Sequence, residues 1–148
     1  MTDWVQVDVD LGERSYPIYI GAGIMARGVL LARHIGGGQV AVFSNETVAP
    51  LYLDRLLEAL GSHYQVDVFT MPDGEEHKNL DSYALAVDFL LEHRHSRDTT
   101  LIALGGGVVG DLTGFVAATY HRGVVFIQGP TTLLALVESS GGGECAVC

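Results

Sequence analysis

Apolar and polar residues alternate from Trp4 to Asp10, with Val5, Val7 and Val9 set against Gln6, Asp8 and Asp10. A period of two marks a strand. Leu11 to Arg14 supplies a turn before a second apolar run, Tyr16 to Ile20, so the pair predicts an antiparallel hairpin. From Ile24 the spacing lengthens to a helical period that places Ile24, Val29, Leu31 and Ile35 on a buried side, and Gly36-Gly37-Gly38 ends it.

Strands and helices then alternate. Val40 to Phe43 is a short apolar strand whose end meets Ser44-Asn45, residues suited to capping a helix. That helix is predicted over Thr47 to Leu60, with Pro50 early, where its missing donor costs least, and Gly61 as terminator. A strand from Tyr64 to Thr70, the turn Pro72-Asp73-Gly74 and a helix from Leu80 to His95 follow, the helix carrying the stripe Leu80, Ala84, Val87 and Leu91. Thr99 to Leu104 is almost wholly apolar, as strands covered on both faces of a parallel sheet tend to be. It runs into Gly105-Gly106-Gly107, a helix from Val108 to Tyr120, a strand from Val124 to Gln128, and Pro130-Thr131-Thr132 ahead of the apolar Leu133 to Val137. The order predicts an α/β fold, a Rossmann-like doubly wound, mostly parallel sheet with an N-terminal β-hairpin, and ligands at the carboxyl ends of its strands.

Composition narrows the function. A chain of 148 residues, 48% hydrophobic, can bury one good core, and we expect a single domain over 1–148. Eight Lys plus Arg against 18 Asp plus Glu give a net charge of -10, a surface that repels a phosphate backbone, so nucleic acid is not an expected partner. No apolar run approaches the roughly 18–20 residues that cross a bilayer, and the start lacks a basic region followed by an apolar stretch, so the expected location is the cytoplasm and no membrane partner is expected. Cys145 and Cys148 stand at the end of the chain and form no disulfide framework, and as a lone C-x-x-C they carry no redox or zinc reading. The six histidines show no metal-ligand spacing, and most read as surface residues.

Gly105 to Gly110 satisfies G-x-G-x-x-G between a buried strand and a helix, the context that gives this spacing meaning. Glycines there let the backbone turn and approach a pyrophosphate, which free amides and the positive end of a helix dipole favour. The loop follows a late strand, and no acidic residue ends the next one to take a ribose, so the dinucleotide template is matched in part; the alternative is a turn serving helix–strand packing alone. Asp111, just inside the helix, fits either a cap or a group that orients the ligand. Pro72-Asp73-Gly74-Glu75-Glu76-His77-Lys78 sets carboxylates for ribose or adenine beside a Lys for phosphate, or is a solvated turn. Thr131 and Thr132 offer hydroxyls to a nucleotide or to a helix end, and Arg122 offers a guanidinium suited to phosphate.

Taken in order, Pro72-Asp73-Gly74-Glu75 with Lys78, Leu104 to Asp111, Thr119-Tyr120-His121-Arg122-Gly123 and Pro130-Thr131-Thr132-Leu133-Leu134 resemble the 3-dehydroquinate synthase family, from about Tyr16 to Ser140. The resemblance implies the N-terminal NAD-binding domain of a two-domain lyase, with NAD as cofactor. A divalent metal, zinc or cobalt, is expected only in a C-terminal helical domain absent from this chain. It implies conversion of a phosphorylated sugar acid, 3-deoxy-arabino-heptulosonate 7-phosphate, to 3-dehydroquinate and phosphate in the shikimate pathway, on the way to chorismate and the aromatic amino acids, by a homodimer. Carried over residue by residue, it implies that Asn45 contacts the adenosine ribose and that Asp73, Gly74, Glu75, Glu76, His77 and Lys78 line the NAD site. Gly106, Gly107, Val108, Val109 and Gly110 hold the pyrophosphate with Asp111 beside it, and Thr131 and Thr132 meet the cofactor. Arg122 resembles the arginine that takes the substrate phosphate in a neighbouring subunit. The last stretch departs from the pattern: Gly129, Glu138, Gly141, Glu144, Cys145 and Cys148 replace family residues, and Glu144 puts a carboxylate where a Lys is usual. The chain alone is therefore expected to be inactive. The alternatives are another sugar-phosphate cyclase, inosose- or valiolone-forming, a degenerate non-catalytic domain, and more remotely a polyol or glycerol-phosphate dehydrogenase relative.

Overall fold

The computed structural model describes residues 4–21 and 23–130. Strands β1 (Trp4–Val9) and β2 (Tyr16–Gly21) pair antiparallel, Val7 opposite Ile18, around a single turn Gly12–Arg14, as the alternation predicts. The helix predicted from Ile24 is broken. A turn Ile24–Ala26 stops at Arg27, whose backbone is extended, and α1 (Gly28–Ala32) starts afresh. The break resets the helical phase, so Leu30 and Leu31 are buried while Val29, expected inside, is 79% exposed.

Strands β3 (Gln39–Asn45), β4 (Gln65–Met71), β5 (Thr100–Gly105) and β6 (Val125–Pro130) form one sheet in the order β4-β3-β5-β6, with every pairing parallel. Helices α2 (Ala49–Leu60), α3 (Leu80–Glu92) and α4 (Gly107–Thr119) supply the crossovers. Alternation along the two central strands splits the core. Val40, Val42, Ile102 and Leu104 face Leu31, Leu56 and Leu60 of α1 and α2. Ala41, Phe43, Leu101 and Ala103 face Ala86 and Leu90 of α3 and Val109, Leu112 and Val116 of α4. All six residues of β5 are buried, which is why its sequence shows no polar alternation.

Of the stripe expected to carry α3 into the core, Val87 packs inward and the other three residues do not. Leu80 and Leu91 are 66% and 57% exposed and Ala84 is exposed, while Tyr83, Ala86, Val87 and Leu90 pack inward. Both sets keep the 3.6-residue period, and a helix this rich in apolar residues does not declare which one the sheet will cover. Its end also comes earlier than predicted. Arg94, with φ 56, takes the left-handed position usually given to glycine, and the amides of Arg94 and His95 bond back to the carbonyls of Leu91 and Leu90.

In this order the first strand of the sheet, β3, sits beside the third, β5, and the connections leave them toward opposite faces. That is a topological switch point, and in open α/β sheets ligands bind at the carboxyl edge of such a point. Buried Ser44, read from sequence as a cap, instead joins the two strands there: its hydroxyl donates to the carbonyl of Leu104 at 2.7 Å.

Candidate functional site

Gly106 ends the bend after β5 in extended backbone, and α4 begins at Gly107. The amide of Gly110 donates to the Gly106 carbonyl at 3.0 Å, the first bond of the helical ladder. The amides of Gly107, Val108 and Val109 precede that bond and have no acceptor within the helix. They head a helix whose positive end meets the switch point, an arrangement suited to a phosphate oxygen. Gly105 has a different task. A Cβ built on it would stand 3.0 Å from Cβ and Cγ2 of Val109, so the missing side chain lets α4 close on β5. The glycine run therefore serves packing at its first position and amide presentation after it.

Two further loops reach the same edge. Asn45, at the end of β3, accepts hydrogen bonds through Oδ1 from the amides of Thr47 (3.0 Å) and Val48 (2.7 Å), closing the turn that starts α2. Its Nδ2 donates to Oδ1 of Asp73 at 3.4 Å, and the Thr47 hydroxyl donates to Oδ2 of Asp73 at 2.9 Å. Thr47, which carried no signal in the sequence, thus fixes the Asp73 carboxylate. The amide of Glu46 donates to the carbonyl of Met71, so the loops after β3 and β4 are held side by side.

Gly74, at φ 131, turns that second loop into a single helical turn, Glu75–His77, ahead of Lys78 and of Asn79, which caps α3 by accepting from the Ser82 amide. Lys78 is buried and does not stand free for a phosphate. Its Nζ lies 2.9 Å from Oδ2 of Asp111 and 3.7 Å from Oε1 of exposed Glu75. Asp111 sits in the second turn of α4 and caps nothing, so the capping alternative falls and its carboxylate is the partner of Lys78. Glu76 and His77 form a looser surface pair at 3.8 Å.

Asn45, the segment from Asp73 to Lys78, and Gly106 to Asp111 are therefore gathered at one edge by three consecutive strand ends. Arg122 is not among them. It is exposed at the far end of α4, a helix of 13 residues, roughly 20 Å away at 1.5 Å per residue. Thr131 and Thr132 lie outside the described residues, as do Glu144, Cys145 and Cys148.

Of the histidines, His95 departs from the surface reading. It is buried, with Nδ1 2.7 Å from Oγ1 of Thr99 and Nε2 2.7 Å from Oδ2 of Asp67. Among the described residues, no group of three or more His, Cys, Asp or Glu is disposed to hold a metal ion. Nor is any described helix long and apolar enough to cross a membrane.

A family model described as 3-dehydroquinate synthase N-terminal matches residues 68–148. The 3-dehydroquinate synthase of Pseudomonas putida (strain W619) is 60% identical over 139 residues, covering 94% of this chain and 38% of that protein. The chain thus spans well under half the length of the curated relatives it matches. Among solved structures, a 2-deoxy-scyllo-inosose synthase superposes with a TM-score of 0.86 at 23% identity, over 97% of this chain and 41% of that one. The same kind of enzyme complexed with carbaglucose-6-phosphate, NAD+ and Co2+ gives 0.81 at 23% identity, over 91% and 37%. At these identities the structures establish the shared fold.

Proposed function

The chain belongs to the 3-dehydroquinate synthase N-terminal family, and we propose that it forms the NAD-binding domain of an enzyme that converts 3-deoxy-arabino-heptulosonate 7-phosphate to 3-dehydroquinate and phosphate. The observation that supports this most directly is the start of α4 at the switch point, where the amides of Gly107 to Val109 meet no helical acceptor. The residues fit a dinucleotide: Gly106 to Gly110 would hold the pyrophosphate, and Asn45 and Asp73 would lie under an adenosine ribose one and two strands away. When bound, the nicotinamide supplies reversible hydride transfer, which makes a neighbouring proton acidic enough to allow loss of phosphate.

The chain's own residues bind and orient. Asp111 is fixed by Lys78 beside the helix start, so the pair offers a defined carboxylate and ammonium close to the cofactor instead of two mobile charges. Asp73, held by Asn45 and Thr47, presents a ribose acceptor of set direction. Thr131 and Thr132 follow the carboxyl end of β6 in sequence and complete the proposed cofactor set. Arg122, at the opposite edge, serves a substrate phosphate only by reaching a neighbouring subunit, which makes a homodimer part of the proposal. A divalent metal belongs in this reading to residues beyond those described, and no step is drawn through it.

Titrating the protein with NAD by calorimetry tests the assignment. Saturable binding is expected, with at least a tenfold loss for Gly107→Val, which crowds the helix start. Absence of NAD binding by the full-length protein would overturn it, and analysis of the product formed separates this cyclase reaction from its relatives.

A further inference from the structure

Arg122 sits in a run of backbone that its own side chain disfavours. His121 has φ 48, Arg122 φ 67 and Gly123 φ 117, and of the three only glycine adopts such angles freely. Left-handed residues carrying a Cβ persist where the surroundings dictate them. Two backbone bonds close the turn, Gly123 amide to Tyr120 carbonyl at 2.9 Å and Val124 amide to Ala117 carbonyl at 2.7 Å. The side-chain anchor is Tyr120: it is buried, and its hydroxyl donates to the carbonyl of His95 at 2.6 Å.

That carbonyl belongs to a fixed platform. The His95 ring is held at both nitrogens, by Asp67 on β4 and by Thr99 ahead of β5. From the start of β3, Gln39 donates to the Arg94 carbonyl at 3.0 Å and accepts from the Ser96 amide at 2.8 Å. Gln65 of β4 donates to the His93 carbonyl at 3.2 Å. The amino ends of three strands thus converge on the segment His93 to Ser96, at the edge of the sheet farthest from the glycine bend. The α3–β5 connection also turns through one left-handed residue with a Cβ, Arg94, whereas the α4–β6 connection places two in succession, His121 and Arg122, ahead of Gly123. The anchoring of Tyr120 bears on that doubled turn.

We propose that Asp67, Thr99, His95 and Tyr120 are positioning residues for Arg122, their hydrogen-bonded chain holding residues 121–123 left-handed and so fixing where the guanidinium leaves the domain. Burial keeps the Tyr120 hydroxyl protonated beyond the usual tyrosine range, so the donor persists at any physiological pH. The functional half rests on the reading above that Arg122 takes a substrate phosphate. The structural half does not.

Tyr120→Phe keeps the ring and removes the donor. In the full-length protein it is expected to speed hydrogen exchange of the Gly123 and Val124 amides about tenfold, the loss of one ordinary hydrogen bond. It is expected to raise KM for the phosphorylated substrate by a similar factor, with NAD affinity unchanged, because the cofactor edge is at the other end of α4. Asp67→Asn, acting from the far end of the chain, moves both readouts in the same direction. In an Arg122→Ala background Tyr120→Phe adds nothing to KM. Unchanged exchange at 123 and 124, a matching loss of NAD affinity, or additive effects on KM would overturn the inference. If Arg122→Ala alone leaves KM unaltered, the phosphate role of Arg122 fails, and the exchange rates still decide whether the brace exists.

Discussion

Lys78 and Asp111, 33 residues apart in sequence, meet at 2.9 Å with side chains only 8% and 13% exposed. One belongs to the loop after β4 and the other to α4, so the pair locks the acidic turn against the glycine bend and makes a single edge from two separate motifs.

Removing one member of a largely buried pair strands the other's charge. Lys78→Met is expected to destabilise the domain by about 3 kcal/mol. Urea denaturation measures this, and a double-mutant cycle with Asp111→Asn is expected to show coupling of about 1–3 kcal/mol. A change below about 0.5 kcal/mol for Lys78→Met would show the pair to be solvated and unimportant for the loop.

Asn45→Ala takes the acceptor from two amides at the start of α2 and is expected to cost about 1–2 kcal/mol. Asn45→Asp keeps that acceptor but faces the Asp73 carboxylate, whose Oδ1 is 3.4 Å from the present Nδ2. It is therefore expected to lose stability too, and to regain it in an Asp73→Asn background. Thermal unfolding of the single and double variants gives the comparison.

A methyl group on Gly105 meets a buried valine at 3.0 Å. Gly105→Ala is expected to cost about 1–3 kcal/mol through overpacking. Trimming the neighbour as well, with Val109→Ala, should recover part of the loss. If chemical denaturation shows Gly105→Ala to be neutral, the close approach of α4 to β5 is not what holds this glycine.

Burial raises the Tyr120 hydroxyl above the ordinary tyrosine value. The folded protein therefore holds this proton where the unfolded chain gives it up. The stabilisation is complete below about pH 10, where an exposed tyrosine begins to ionise, and is lost as pH rises through the higher folded value. Unfolding free energy is expected to fall above about pH 10, and Tyr120→Phe to flatten that limb. An identical alkaline limb in the variant would assign it to other groups.

The strand–helix alternation, the parallel sheet, the hairpin and the glycine bend were legible from the sequence because each rests on local periodicity or on residues whose backbone freedom is intrinsic. Four apolar residues in a row at β5, Leu101 to Leu104, and the Gly105 to Gly110 run state their roles without help from the rest of the chain. Which helical face is buried was not legible: Leu80, Ala84 and Leu91 have the same period as Tyr83, Ala86 and Leu90, and only packing against β3, β5 and α4 selects the second set. Nor could spacing reveal that Lys78 meets Asp111, that Thr47 fixes Asp73, or that His95 lies buried between Asp67 and Thr99. Those partners come from different strand ends, and the strand order, which brings β3 beside β5, decides their meeting. Local sequence sets backbone preference over a few residues, whereas long-range partners are chosen by the burial of the whole sheet.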